Sequence, residues 1–94
     1  TLPGGPTKYE ENGVCYRVQI LALKQKRVSP AVLQDMYQIE EEINEESYHN
    51  WRKYTVGKCR SKSKALQLRL ELIEKGIDGA FIVAYKNGER AKLD

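Results

Sequence analysis

Two short groups of residues carry the side chains best suited to meeting a ligand: Arg17 and Gln19, and then Trp51, Lys53 and Thr55. A guanidinium and an ammonium attract carboxylate or phosphate. An amide offers donors and an acceptor, which suits hydroxyl-rich ligands. An indole supplies a broad apolar face with one polar tip. Each residue also has a plainer reading. Trp51 serves equally well as a plug at a sheet edge or beneath the N-terminal segment, and Gln19 alone reads as an idle strand residue.

Catalysis finds little support. The one histidine, His49, has no Cys or His beside it, and the two cysteines, Cys15 and Cys59, show no zinc spacing. No nucleophile stands beside a base, and no glycine-rich phosphate loop opens a helix. The acidic run Glu40, Glu41, Glu42, Glu45 and Glu46 reads as solvated carboxylates. The expectation is a binding domain without catalytic activity, cofactor or metal. Cysteine number does not fix the compartment, because one bridge and two free thiols are equally compatible with the chain.

Ninety-four residues suffice for one small domain. Hydrophobic residues make up 40% and charged residues 31%, ordinary globular usage that argues against wholesale disorder. No apolar run approaches the roughly 20 residues of a membrane span, so no transmembrane segment is expected. The net charge of +3 hides an asymmetry. Residues 1–47 hold five Lys/Arg against eight Asp/Glu, and residues 48–94 hold eleven against five. A basic half invites an anionic partner, although most such stretches are only a solvated face.

Residues 1–13, with two Pro and three Gly, read as a linker, leaving 14–94 as the domain. Tyr16, Val18 and Ile20 alternate with Arg17 and Gln19, which predicts a half-buried strand. Ser29-Pro30 predicts a helix start, followed by Val32, Leu33, Met36, Ile39 and Ile43 at helical spacing. A short strand over 44–48 and a tight turn at His49-Asn50 lead into a strand over 51–57. There Tyr54 and Val56 face one way, and Trp51, Lys53 and Thr55 the other. Ser61 or Ser63 caps a second helix whose apolar side is Ala65, Leu66, Leu68, Leu70, Leu72 and Ile73, closed by Gly76. Residues 80–85 form an apolar strand, and 86–89 a turn.

The order strand–helix–strand–strand–helix–strand predicts an α+β fold of βαββαβ type. Its four-stranded antiparallel sheet carries both helices on one face and leaves the other open. With the first and third strands as central neighbours, Arg17, Gln19, Trp51, Lys53 and Thr55 share the open face. The same pairing brings Cys15 towards Cys59, so a disulfide is geometrically conceivable.

These residues resemble a known family. Tyr16-Arg17-Val18-Gln19-Ile20, Tyr54-Thr55-Val56-Gly57-Lys58-Cys59, Ala65-Leu66 and Gly76-Ile77-Asp78-Gly79-Ala80-Phe81-Ile82-Val83 are similar, in order and spacing, to the SPOR domain of bacterial cell-division and wall-remodelling proteins. The likeness runs over about residues 14–85. It implies a βαββαβ domain in the bacterial periplasm or cell envelope, at the division septum. Its partner would be peptidoglycan, bound as "denuded" glycan strands that have lost their stem peptides. It also implies that Gln19 matches the hallmark glutamine of the first strand, that Trp51 and Lys53 match aromatic and basic positions of the third, and that Ile82 is the fourth-strand contact. The chain departs from the family pattern at Leu21-Ala22-Leu23, at Gly57-Lys58-Cys59 and through the acidic run.

Two other functions fit the same outline. A single-stranded RNA-binding module would stack bases on the open face, but the expected third strand offers one aromatic where two or three are needed. No nucleic acid is therefore expected as partner. A protein-interaction domain would pair through the acidic segment or an edge strand. A wall hydrolase fused upstream would make this domain its targeting module.

Overall fold

Two serines set the helices. In the computed structural model, which describes residues 13–91, Ser29 accepts a hydrogen bond from the Ala31 amide (3.3 Å) and Pro30 opens helix α1, Pro30–Tyr37. Ser61 likewise accepts from the Lys64 amide (3.3 Å) ahead of α2, Lys62–Glu74. Both follow the preference for a hydroxyl that satisfies an orphan N–H at a helix start. The strands are β1 (Val14–Lys24), β2 (Ile43–Tyr48), β3 (Trp51–Cys59), β4 (Phe81–Lys86) and β5 (Glu89–Ala91). The expected linker lies outside the described residues except for Gly13, as do residues 92–94.

The α+β class and the element order match expectation, with one addition. The sheet has five antiparallel strands in the order β2-β3-β1-β4-β5, not four. The cause is the turn after β4. Asn87 and Gly88 both sit at positive φ (54° and 83°), the arrangement of a two-residue hairpin turn that matches the twist of the flanking strands. The chain therefore returns along β4 instead of ending in a loop. β1 lies in the centre beside β3, as expected.

Helix α1 is shorter than its apolar spacing suggested. Gln38 takes a left-handed conformation (φ 55°) and ends it, so Ile39 falls in the connection and Ile43 begins β2. Both isoleucines are nevertheless buried, whereas Val32 and Met36 on the helix stay exposed. Of the apolar repeat, Leu33, Ile39 and Ile43 reach the core, and only Leu33 does so from the helix. In α2 the buried side is Ala65, Leu68 and Leu72, and Leu66 and Leu70 face outward.

The main core lies between the helices and one sheet face. Val18, Tyr54 and Val56 come from the sheet, Leu33 from α1, and Leu68 and Leu72 from α2, with Ile39, Ile43, Ile77 and Ala80 closing the ends. Tyr54 is wholly buried but keeps its hydroxyl satisfied: it accepts from the Val28 amide (2.8 Å) and donates to Glu45 (3.2 Å). Arg27 grips the same carboxylate at 2.9 Å. This cluster ties the loop after β1 to the sheet, so part of the acidic run is structural. Two register shifts in the β1–β3 pairing, between Tyr16 and Val18 and between Gln19 and Leu21, change which side chains of β1 face the core. Beyond the second, Leu21 and Leu23 turn to the helix side to pack against the core.

Candidate functional site

Residues directly opposite each other in antiparallel strands point to the same face. Gln19 stands opposite Thr55 on β3 and Phe81 on β4; Arg17 stands opposite Val83; Cys15 stands opposite Tyr85, which stands opposite Arg90 on β5. Across the sheet, Asn44, Glu46 and Tyr48 of β2 oppose Thr55, Lys53 and Trp51. These residues make up the face turned away from the helices. Arg17, Gln19, Trp51, Lys53 and Thr55 do share it.

The face is not bare. The sheet curls so far that its edges touch through side chains. Arg90 on β5 meets Glu46 on β2 at 3.1 Å and donates to Oε1 of Gln19 at 2.8 Å. Tyr85 donates to the same Glu46 oxygen at 3.0 Å. The Arg17 and Arg90 guanidiniums lie 4.9 and 5.6 Å from the centre of the Tyr85 ring, within cation–π range. Beneath this lattice Gln19 is only 7% exposed and Thr55 not at all. A second, smaller buried layer therefore fills the concavity, built from Cys15, Val83 and Tyr85 around a polar floor.

Two atoms of that floor, Nε of Arg17 and Oγ1 of Thr55, are buried without a hydrogen-bond partner. The Thr55 hydroxyl lies near enough to the Tyr85 oxygen to favour its ionised form slightly, yet outside hydrogen-bonding geometry. Burial and the hydrogen bond to Glu46 outweigh this and push the Tyr85 phenol above its ordinary range.

The accessible part of the face is its β2–β5 side. A cavity of about 700 Å³ is lined by Glu46, Ser47, Tyr48, Lys53, Glu89 and Arg90. The Lys53 ammonium sits 5.3 Å from the Tyr48 ring centre. Tyr48 is 61% exposed, with His49 packed edge to face against it at 4.2 Å. Chemically this is an aromatic-walled recess of mixed charge beside a buried amide, suited to a polar ligand that carries a single carboxylate: Arg90 is paired with Glu46, and Lys53 stands over the Tyr48 ring.

Several expected site residues stand elsewhere. Trp51 is 40% exposed but lines a separate recess of about 310 Å³ at the hairpin tip, with Gln25, Lys26, Arg27, His49 and Asn50. It is four positions from Thr55, the partner of Gln19, which is about 13 Å along a strand. Gln19 and Trp51 are thus on one face but not adjacent. Ile82 is opposite Val18, on the helix side, so it cannot be the fourth-strand contact; Phe81, Val83 and Tyr85 occupy that face. The cysteines are both free. Cys59 stands opposite Tyr16 and packs on the main core, whereas Cys15 stands opposite Tyr85 in the concavity. Pairing brought them close in the sheet, but the alternation of a strand put them on opposite faces.

The sequence reading missed Arg90, Tyr85, Glu46 and Tyr48. The Asn87-Gly88 pair was the available signal for Arg90, since it announces a hairpin and hence a strand beyond it. Among the described residues no group of three His, Cys, Asp or Glu could hold a metal ion, and no helix is long and apolar enough to cross a membrane. Compared with protein-family models, curated proteins and solved structures, the chain matches none.

Proposed function

We propose that this chain is a non-catalytic peptidoglycan-binding module that takes denuded glycan strands along its concave sheet face. In this reading it targets its parent protein to the wall or division septum of a bacterium. The observation that supports it is the recess shared by Lys53, Tyr48 and Arg90, on the side of the sheet free of helices and next to the buried amide of Gln19.

Removing a stem peptide leaves a free lactyl carboxylate on each muramic sugar. A denuded strand is then a periodic anion carrying acetamido and hydroxyl groups. Lys53 answers the carboxylate, Tyr48 an apolar sugar face, and Gln19 an acetamido or carboxylate oxygen, while Arg90, held by Glu46 and Gln19, walls the recess. Trp51, in the neighbouring recess, extends the track to a further sugar. A shallow site of this kind binds one disaccharide weakly and a long strand better, because neighbouring repeats raise the effective concentration.

The test is co-sedimentation with sacculi, with and without prior amidase treatment. The domain is expected to pellet with treated sacculi, and Lys53→Ala and Trp51→Ala to lose most of that binding while remaining folded. Equal pelleting by wild type and both variants would reject this site.

One observation favours single-stranded RNA as a second reading. Tyr48, Trp51 and Phe81 are all exposed aromatics on the same face, more than the third strand alone supplies. Against it, Glu46 and Glu89 line the central recess and would repel a chain with a phosphate at every nucleotide more than one with a single carboxylate per disaccharide. RNA binding would fall steeply with salt, and a salt titration separates the two.

A further inference from the structure

The contact between Arg90 and Gln19 has a chemical consequence. A guanidinium can only donate, so the atom of Gln19 that faces Arg90 at 2.8 Å must be its carbonyl oxygen. The orientation of that amide is therefore dictated by its partner. Arg90 is itself held. The same terminal nitrogen reaches Glu46 at 3.1 Å, so its two N–H bonds serve two acceptors, and Glu46 is anchored in turn by the Tyr85 hydroxyl at 3.0 Å. Gln19, wedged between Thr55 and Phe81 and almost wholly covered, has little room to turn. Its NH2 group makes no hydrogen bond among the described residues and, unlike Nε of Arg17 and Oγ1 of Thr55, is not sealed off, so the small exposed part of the residue includes this nitrogen.

We infer that Arg90 is a positioning residue for recognition: by occupying the Gln19 carbonyl it presents the NH2 group alone to the ligand, so the site selects an acceptor, above all an ionised carboxylate, over a donor. This rests on the proposed glycan reading and deepens it. An unrestrained glutamine turns either end to its ligand and accepts from an amide or hydroxyl as readily as it donates to a carboxylate. With its oxygen occupied it can only donate. Hydrogen bonds to an ionised acceptor are roughly twice as strong as neutral ones, and Arg17 and Lys53 lie on the same face to reinforce them. The strand selected is one whose lactyl groups are free acids, not one whose lactyl groups are amides.

The experiment compares amidase-denuded strands with length-matched strands whose lactyl carboxylates have been converted to primary amides. Wild type is expected to prefer the acid form by about ten-fold. Arg90→Ala should reduce that preference to about two-fold, and Arg90→Lys should restore most of it, since an ammonium also only donates. Gln19→Glu should abolish it, because the group facing the ligand becomes an acceptor. A plain charge effect of Arg90 is separated by the double variant. In the Gln19→Ala background Arg90→Ala is expected to change the preference no further, and a second fall of the same size would overturn the positioning role.

The glycan reading can fail separately. If wild type binds neither strand, the ligand assignment falls and acetate serves as probe. Acetate should shift the Gln19 side-chain NH2 resonances in wild type and shift them about half as far in Arg90→Ala, where the amide turns either end outward. Identical behaviour of the two proteins would overturn the inference.

Discussion

Tyr85 on β4 donates its hydroxyl to Glu46 on β2 at 3.0 Å, across the two strands that separate them. In a flat sheet those strands would lie roughly 14 Å apart, farther than a tyrosine and a glutamate can bridge while standing upright. The contact therefore requires the curl, and the curl is what turns an expected open platform into a recess. Glu46 is the keystone, since Arg90 binds the same oxygen.

Removing that keystone should loosen the concave face. Glu46→Ala leaves a buried tyrosine hydroxyl and a guanidinium without their shared acceptor, and a loss of about 1–2 kcal/mol in urea unfolding is expected. Glu46→Gln should cost less, because its carbonyl still accepts from the hydroxyl. An unchanged midpoint for the alanine variant would mean that other contacts hold the curl.

Stability should decline in alkali. Burial, then the bond to and charge of Glu46, raise the Tyr85 phenol above its ordinary 10.0, and burial followed by the charges of Cys15 and Glu41 raises the Cys59 thiol above 9.0. Both groups lose protons more readily in the unfolded chain, so the folded state holds more protons there. Their contribution is complete below about pH 9 and drains away as pH climbs through the raised values. Urea midpoints measured from pH 8 to 11 should fall, and Tyr85→Phe should flatten the upper part of the curve. A midpoint that rises over this range would contradict the assignment.

Gly57 sits at φ +80°, where the register slips between β1 and β3, and a Cβ built there would lie 2.6 Å from Cδ2 of Leu68. Gly57→Ala combines left-handed strain with displacement of a core leucine. A loss of about 1–3 kcal/mol is expected by thermal or urea unfolding. A neutral effect would show that the slip relaxes easily.

The two thiols should stay unbridged. Cys59 is partly exposed and reacts first with a thiol reagent, slowly near neutral pH because its thiolate is disfavoured. Cys15 is buried and should react only on unfolding. Mild oxidation is expected to leave the monomer two hydrogen atoms heavier than a disulfide form would be. Loss of those two hydrogens with retained native structure would show that the strands can rearrange to pair the two thiols.

Much of the architecture was legible because its signals are local. Ser29-Pro30 and Ser61 cap helices through groups within three residues of each other, and the alternation in Tyr16–Ile20 and Tyr54–Val56 reports which side of a strand is dry. Order and alternation were also enough to collect Arg17, Gln19, Lys53 and Thr55 on one face. What escaped is of another kind. The unbroken apolar run 80–85 carries no alternation to say which face Ile82 takes, and the nearness of Cys15 to Cys59 does not say that they point the same way; pairing across the sheet settles both. The cover over Gln19 depends on strands at opposite edges meeting through Arg90, Tyr85 and Glu46, up to 44 positions apart in the chain. No local pattern encodes such a contact. It exists because the summed twist of five strands brings the edges together, and only the folded sheet sums it.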